Sequence, residues 1–132
     1  MKISVIVPVY NVAPYLAICL NSLLPALAPG DELLLVQGAS TDKSKEISLH
    51  YKAEHTQVMV LEQNGTGLSN ARNCGLQAAT GDYVLFIDSD DFVETGTLSQ
   101  LLSSIRKNGT SVDVWMTDYY KHFEANETDQ LV

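Results

Sequence analysis

The sequence predicts an α/β fold, a mostly parallel sheet flanked by helices. Three observations carry that prediction. Short β-branched apolar runs alternate with segments of helical spacing along most of the chain. The strongest runs, residues 3–9 and 83–87, are almost continuously apolar, as strands buried on both faces are. Polar or glycine-bearing turns follow the runs, and one of them is Asp88-Ser89-Asp90-Asp91. In open α/β sheets, ligands bind outside the carboxyl ends of the strands.

Each element has a local reason. Residues 3–9 read as a first strand closed by Pro8 and Asn11. Pro14 suits the first turn of a helix, and Leu16, Cys19, Leu20, Leu23 and Leu24 recur at helical spacing until Pro25 stops them. Pro29-Gly30-Asp31 is a turn, and residues 32–36 are a second strand. Ser40 or Thr41 is the expected cap of a helix reaching about Glu54, with Ile47 and Tyr51 on one face. Residues 58–61 form a third strand, and Asn64-Gly65-Thr66-Gly67 a glycine-rich turn. A helix over 68–79 turns Leu68, Ala71, Gly75 and Ala78 inward. The strand over 83–87 follows, then a helix from about Thr95 to Lys107. Val112, Val114 and Met116 alternate with Asp113, Trp115 and Thr117, which predicts a fifth strand. Residues 1–120 are expected to form the domain and 121–132 a tail without periodicity.

Composition narrows the function. The 132 residues are 45% hydrophobic and 18% charged, a globular profile long enough for a real core. A formal net charge of −8 with no basic patch argues against a nucleic-acid partner. Nothing is long and apolar enough for a transmembrane helix, and the first residues do not read as a signal peptide. The sequons at Asn64, Asn108 and Asn126 are therefore read as chance. Cys19 and Cys74, both in helical patterns, are expected to be reduced core thiols. His50, His55 and His122 have no ligand spacing and are expected at the surface.

The loops after successive strands gather at one edge of such a sheet. They bring Pro8, Val9, Tyr10 and Asn11 together with residues 37–42, the turn 64–67 leading to Arg72 and Asn73, and the acids 88–91. An aromatic face, backbone amides, a helix N-terminus, an arginine and carboxylates suit a nucleoside diphosphate carried by Mg²⁺ or Mn²⁺. Tyr10 would stack on the base, and Arg72 would meet phosphate charge with a forked donor. Asp88 and Asp90 would hold the cation. An acidic cluster or a glycine turn alone is more often a solvated helix cap. Their convergence favours a site.

These residues match a family. Residues 3–11, Ser40-Thr41-Asp42, Gly67-Leu68-Ser69-Asn70-Ala71-Arg72-Asn73-Cys74-Gly75-Leu76 and residues 81–91 resemble, in order and spacing, the family-2 glycosyltransferases. The resemblance implies the nucleotide-binding half of the Rossmann-like GT-A fold. It further implies an inverting transfer of sugar from a nucleotide sugar, usually a UDP-sugar, with a divalent metal. On this chain Pro8, Val9 and Tyr10 would line the nucleoside pocket and Arg72 would lie at the nucleotide. Asp88-Ser89-Asp90 would be the Asp-x-Asp motif, with Asp90 as direct metal ligand and Asp88 reaching ribose or metal-bound water. Asp91 resembles a frequent third acid. The acceptor would be a glycan or a lipid-linked glycan, in surface polysaccharide or glycolipid synthesis. The place would be the cytoplasm at the inner membrane face, with peripheral membrane association of the full-length protein.

The chain departs from the family twice. Where the family commonly reads Val-Asp-Asp-Gly-Ser-Thr-Asp, this chain reads Val36-Gln37-Gly38-Ala39-Ser40-Thr41-Asp42. In the family the second acid accepts the base N–H, and Gly38 stands in its place. Gln37 offers a carbonyl from a neighbouring position. Losing a charge-assisted hydrogen bond costs about 1.5–3 kcal/mol, roughly one to two decades of affinity. The family also places its acceptor site and catalytic base in a further half. Asp118, Glu124, Glu127 and Asp129 are the available acids here and read as solvated surface. The chain is thus expected to be the donor-binding half of a longer enzyme, or a natural short relative, with weak or no turnover alone, and to dimerise over apolar surface a missing half would cover. A non-catalytic nucleotide-binding or assembly module is the alternative. A nucleotidyltransferase is weaker, because the loop after the first strand lacks glycines and a basic residue.

Overall fold

The computed structural model describes residues 1–122 and 130–131. In chain order the elements are β1 (Ile3–Val9), α1 (Ala13–Leu23), β2 (Glu32–Gln37), α2 (Ser44–Glu54), β3 (Val58–Glu62), α3 (Leu68–Ala78), β4 (Tyr83–Phe86), α4 (Thr95–Asn108), β5 (Tyr120–Lys121) and β6 (Gln130–Leu131). The main sheet has four parallel strands in the order β3-β2-β1-β4. The chain runs outward from β1 to β3, then crosses back to place β4 on the other side of β1. That reversal opens a crevice at the carboxyl ends of β1 and β4, the usual ligand position in this class of sheet.

Burial follows the period of two expected of strands. Val5, Val7, Val9, Leu33 and Leu35 share the larger core with Leu16, Leu20 and Leu23 of α1 and Leu98, Leu102 and Ile105 of α4. Ile6, Leu34 and Val36 face the opposite way, onto Ala71 of α3. Gly75 lets α3 approach the sheet: a Cβ there would lie 2.5 Å from Ile6 Cγ2 and 3.2 Å from Val36 Cγ2.

At the amino ends of the strands, buried Glu32 ties three segments together. Its carboxylate accepts from the Ser4 hydroxyl at 2.7 Å and the Thr80 amide at 2.7 Å. Lys2 Nζ lies 3.0 Å away. Burial opposes its charge, but the bonds from Ser4, Thr80 and Lys2 win and hold the carboxyl down at about 2. This end of the sheet is a structural clamp, remote from the crevice.

Several expectations need correction. Residues 112–117 add no strand to the main sheet. Trp115 packs against the larger core, while Val114 and Met116, the expected inward face, are 73% and 92% exposed. The Tyr83 hydroxyl donates to the carbonyls of Gly109 and Val112. These bonds anchor the start of the segment, and burying the large indole outweighs the smaller gain from Val and Met. The helix expected from Ser40 or Thr41 begins at Ser44, with Asp42 accepting from the Ser44 amide. Near the expected boundary at residue 120, β5 pairs antiparallel with β6. Cys19 is buried, but Cys74 is only half-buried.

Candidate nucleotide-sugar site

The crevice is built from the four loops that follow β1, β2, β3 and β4. After β1, Tyr10 is 63% exposed and Asn11 takes a positive φ of 49°, a conformation Asn tolerates. This kink turns the chain into α1. Asn11 Oδ1 accepts from the Thr41 amide at 2.8 Å, and its own amide donates to Ser40 Oγ at 3.0 Å. Asp42 accepts from the Ala13 amide at 3.0 Å as well as from Ser44, so one carboxylate serves the first turns of both α1 and α2. Ser44 Oγ accepts from the Val12 amide at 2.9 Å. The result is a fixed base from which the Tyr10 ring projects.

After β2 the chain has no acid. Gln37 is 1% exposed. Its amide donates to Gly38 O at 2.9 Å and Ser40 Oγ at 2.8 Å, and its carbonyl accepts from Ser48 at 3.3 Å. The expectation that its carbonyl serves a base is therefore not met: Gln37 braces the loop from below. Gly38 lies at the loop surface beneath Tyr10, where a Cβ would stand 3.3 Å from Tyr10 Cδ2 and 3.2 Å from Gln63 Oε1.

After β3, Gln63 continues the ladder by donating its backbone N–H to Gln37 O at 2.9 Å. Its side-chain amide donates to Gly67 O at 2.8 Å. Gly67, at φ 88°, precedes α3, whose first turn has no side-chain cap. Such an open N-terminus leaves amides free for phosphate oxygens. One turn into α3, Arg72 Nη2 lies 3.0 Å from Asp88 Oδ1. Arg72 Nε and Asn70 Oδ1 are buried without a hydrogen-bond partner among the described residues.

After β4 the acids form a tight turn closed by the Asp91 amide donating to Asp88 O at 3.0 Å. Asp88 is half-exposed, Asp90 and Asp91 are exposed, and Ser89 is buried at 5%. Burial, then the charges of Asp90 and Asp88, push the Asp91 carboxyl above its usual range. The same acids lie over Cys19, whose thiol donates to Asp88 O across 3.8 Å. Burial, then Asp91, Asp90 and Asp88, push that thiol up to about 12.

The acid turn fits a hard cation in donor chemistry, being rich in carboxylate oxygen and under mutual repulsion. Among the described residues no three acidic, His or Cys side chains already converge as a cage. Mg²⁺ usually takes one or two carboxylates and leaves other positions to phosphate and water. Of the expected site residues, the fold brings Tyr10, Arg72, Asp88 and Asp90 to one edge. Pro8 and Val9 are buried in β1; the Val9 side chain is in the core, and its carbonyl accepts from Gly38. Ser89, too, is under the surface. Gln63 escaped notice as part of the site because its place depends on contacts between loops. The acid Asp118 is exposed, while Glu124, Glu127, Asp129 and the sequon at Asn126 lie outside the described residues.

Comparison with known proteins identifies the family. The profile of Glycosyl transferase family 2 matches residues 4–130. The chain is 39% identical over 124 residues to the glycosyltransferase GlyA of Streptococcus pneumoniae, covering 94% of this chain and 18% of GlyA. It is 40% identical over 131 residues to the glycosyltransferase YibD of Escherichia coli, covering 99% of this chain and 38% of YibD. The crystal structure of Staphylococcus aureus TarS 1-349 with UDP superposes with a TM-score of 0.71 at 30% identity, over 88% of this chain and 38% of that one. The chain spans well under half the length of these relatives. With a family profile matched along nearly its whole length, and a parallel sheet whose crevice holds the residues that first suggested the resemblance, the chain belongs to Glycosyl transferase family 2.

Proposed function

We propose that this chain is the donor-binding part of a glycosyltransferase that takes its sugar from a UDP-sugar, with inversion and with Mg²⁺ or Mn²⁺. The observation that carries the reading is the pairing of Arg72 with Asp88 where the sheet reverses, on the same strand-end edge that carries Tyr10. TarS, similar in sequence and fold, has been crystallised with UDP and with UDP-GlcNAc. Relatives include poly(ribitol-phosphate) glycosyltransferases, which favours a glycan or lipid-linked acceptor in surface polysaccharide synthesis. No helix among the described residues is long and apolar enough to cross a membrane. We place the work in the cytoplasm at the inner membrane face, with the full-length protein bound peripherally. Exposed Leu68, Leu76 and Phe86 are apolar side chains that a further half or a second copy would cover.

In this reading Tyr10 stacks on the base, and the open N-terminus of α3 and Arg72 take the diphosphate. Asp90 holds the cation directly, with Asp88 helping or reaching the ribose. When bound, the cation offsets diphosphate charge and so favours departure of the nucleotide. The acceptor hydroxyl would bond to the anomeric carbon as the bond to UDP breaks, its proton passing to a carboxylate base. That base is assigned to no residue of this chain, which is why turnover by these residues alone should be weak or absent.

Calorimetry of UDP with and without Mn²⁺ tests the donor site. The expected result is binding that weakens at least tenfold in chelator. Equal affinity in both conditions defeats the metal-assisted reading. The alternative, a non-catalytic nucleotide-binding or assembly module, rests on the missing acids at Gln37 and Gly38. UDP binding with no donor hydrolysis by the longest natural form of the protein would favour it.

A further inference from the structure

We infer that Gln63 reads the base, its Oε1 accepting a ring N–H beside Tyr10. The inference rests on the nucleotide reading above and deepens it. The argument begins with what the loop after β2 lacks: Gly38 has no side chain, and the Gln37 side chain is consumed beneath the loop. The next strand supplies an acceptor instead. Gln63 Oε1 stands 3.2 Å from where a Gly38 Cβ would be, and Tyr10 Cδ2 stands 3.3 Å from that same point. A carbonyl oxygen and an aromatic edge thus converge on one small volume over a bare glycine.

The orientation of the Gln63 amide is determined. Its nitrogen must face Gly67 O, because a carbonyl there needs a donor. That turns Oε1 toward Gly38 and Tyr10. Its backbone is also fixed by the bond to Gln37 O. No hydrogen bond among the described residues ends on Oε1, although the residue is half-buried. A positioned, unused acceptor at the rim of an aromatic platform suits a ligand donor lying in the plane of a stacked ring. The ring N–H of a uracil-type imide is that kind of donor. Gln63 is a specificity-determining residue in this account and takes no part in bond breaking.

The test compares UDP with its N3-methyl derivative on the full chain, with Mn²⁺ present, by calorimetry. Wild type should bind UDP at least tenfold more tightly than N3-methyl-UDP. Gln63→Ala should weaken UDP about tenfold and leave N3-methyl-UDP nearly unchanged. Gln63→Glu keeps an accepting oxygen but loses the donor to Gly67, and should hold UDP within about threefold of wild type. If Gln63 only tethers the loop before α3, Glu fails as Ala does and both ligands weaken together, which overturns the inference. Wild-type UDP binding that Gln63→Ala leaves intact also overturns it, while the nucleotide reading survives. Wild type that binds no nucleoside diphosphate defeats both.

Discussion

The Arg72 guanidinium and the Asp88 carboxylate, 3.0 Å apart, join α3 to the turn after β4 across the point where the sheet reverses. Both side chains are more than a third exposed, so the pair contributes little to stability, roughly 0–1 kcal/mol. Its effect is on position: it holds the cationic fork beside the acids that would carry a metal. A diphosphate arriving there meets an arginine already in place.

Replacing that arginine should therefore separate binding from folding. Arg72→Ala should raise the Kd for UDP roughly ten- to a hundredfold, the cost of one charge-assisted contact of about 1.5–3 kcal/mol. Its melting temperature should stay within a few degrees of wild type. Arg72→Lys should recover only part of the affinity, because a point charge does not replace the fork. Titration calorimetry beside a thermal melt reads both quantities. A large loss of stability without loss of affinity would contradict the assignment.

The acid turn makes a second prediction. Asp90→Asn should remove most of the Mn²⁺ dependence of UDP binding, so that the variant binds equally weakly with metal and with chelator. Asp91→Asn should be milder, because it only takes away one of the negative charges that repel one another in the turn. If Asp90→Asn keeps the full metal response, the direct ligand is elsewhere.

Much of this architecture was legible in the sequence. The continuous apolar runs at 3–9 and 83–87 gave parallel strands, the first buried throughout but the second only half-buried because β4 is an edge strand with Phe86 exposed, and Pro14 gave the start of α1 to within a residue. Asp88 and Arg72 were recognisable from residue type and spacing. What escaped was set by contacts between distant segments. Alternation at 112–117 resembled a strand, yet the Tyr83 hydroxyl and the burial of Trp115 decide its course. Gln37 and Gln63 look equally available in the sequence. Only the fold shows that Ser40, Ser48 and Gly38 use up the first, while Gly67 orients the second.

Gln37 therefore affects stability first. Gln37→Asp removes the amide that donates to Gly38 and Ser40 and places a charge at a site 1% exposed. Unmade buried hydrogen bonds cost about 1–3 kcal/mol each, so the melting temperature should fall by several degrees. In Gly38→Asp the nearest neighbours of the new Cβ would be the Gln63 and Tyr10 side chains and the Val9 carbonyl, at 3.2–3.4 Å. The variant should fold, and its carboxylate should tighten UDP. Thermal melts of the two single variants separate these effects; equal stability would contradict the bracing role.

Glu32 sets the acid limit of the fold. Its carboxyl is held near 2 against an ordinary value of 4.5. A depressed carboxyl contributes stability that is fully present above the ordinary value and is lost as pH falls through the folded one. The contribution is about 3 kcal/mol at neutral pH, at about 1.4 kcal/mol per unit. It should fade between pH 4.5 and about 2. Glu32→Gln should lose much of that stability at pH 7 and show a flatter stability profile in this window. Urea melts from pH 7 to 2 read the difference. Parallel profiles for variant and wild type would show that the Ser4, Lys2 and Thr80 contacts do not favour the charged carboxylate.

Gly75 links packing to the site. A Cβ at this position would lie 2.5 Å from Ile6 Cγ2, inside any real contact, with Val36 at 3.2 Å. Ile6 and Val36 are fully buried in neighbouring strands and have nowhere to retreat. Gly75→Ala should therefore gain a little in helix propensity, under about 1 kcal/mol, and lose about 1–3 kcal/mol to overpacking. The net effect is destabilisation, with α3 displaced from the sheet. Arg72 lies one turn earlier on α3, so the displacement should also lengthen its contact with Asp88 and weaken UDP. Ile6→Ala removes the Cγ1 and Cγ2 atoms that crowd this point, so the double variant should lose less stability and less affinity than the two single losses added together. A double-mutant cycle on melting temperature and UDP affinity checks this coupling. Strict additivity would show that Gly75 and Ile6 do not meet as the packing requires.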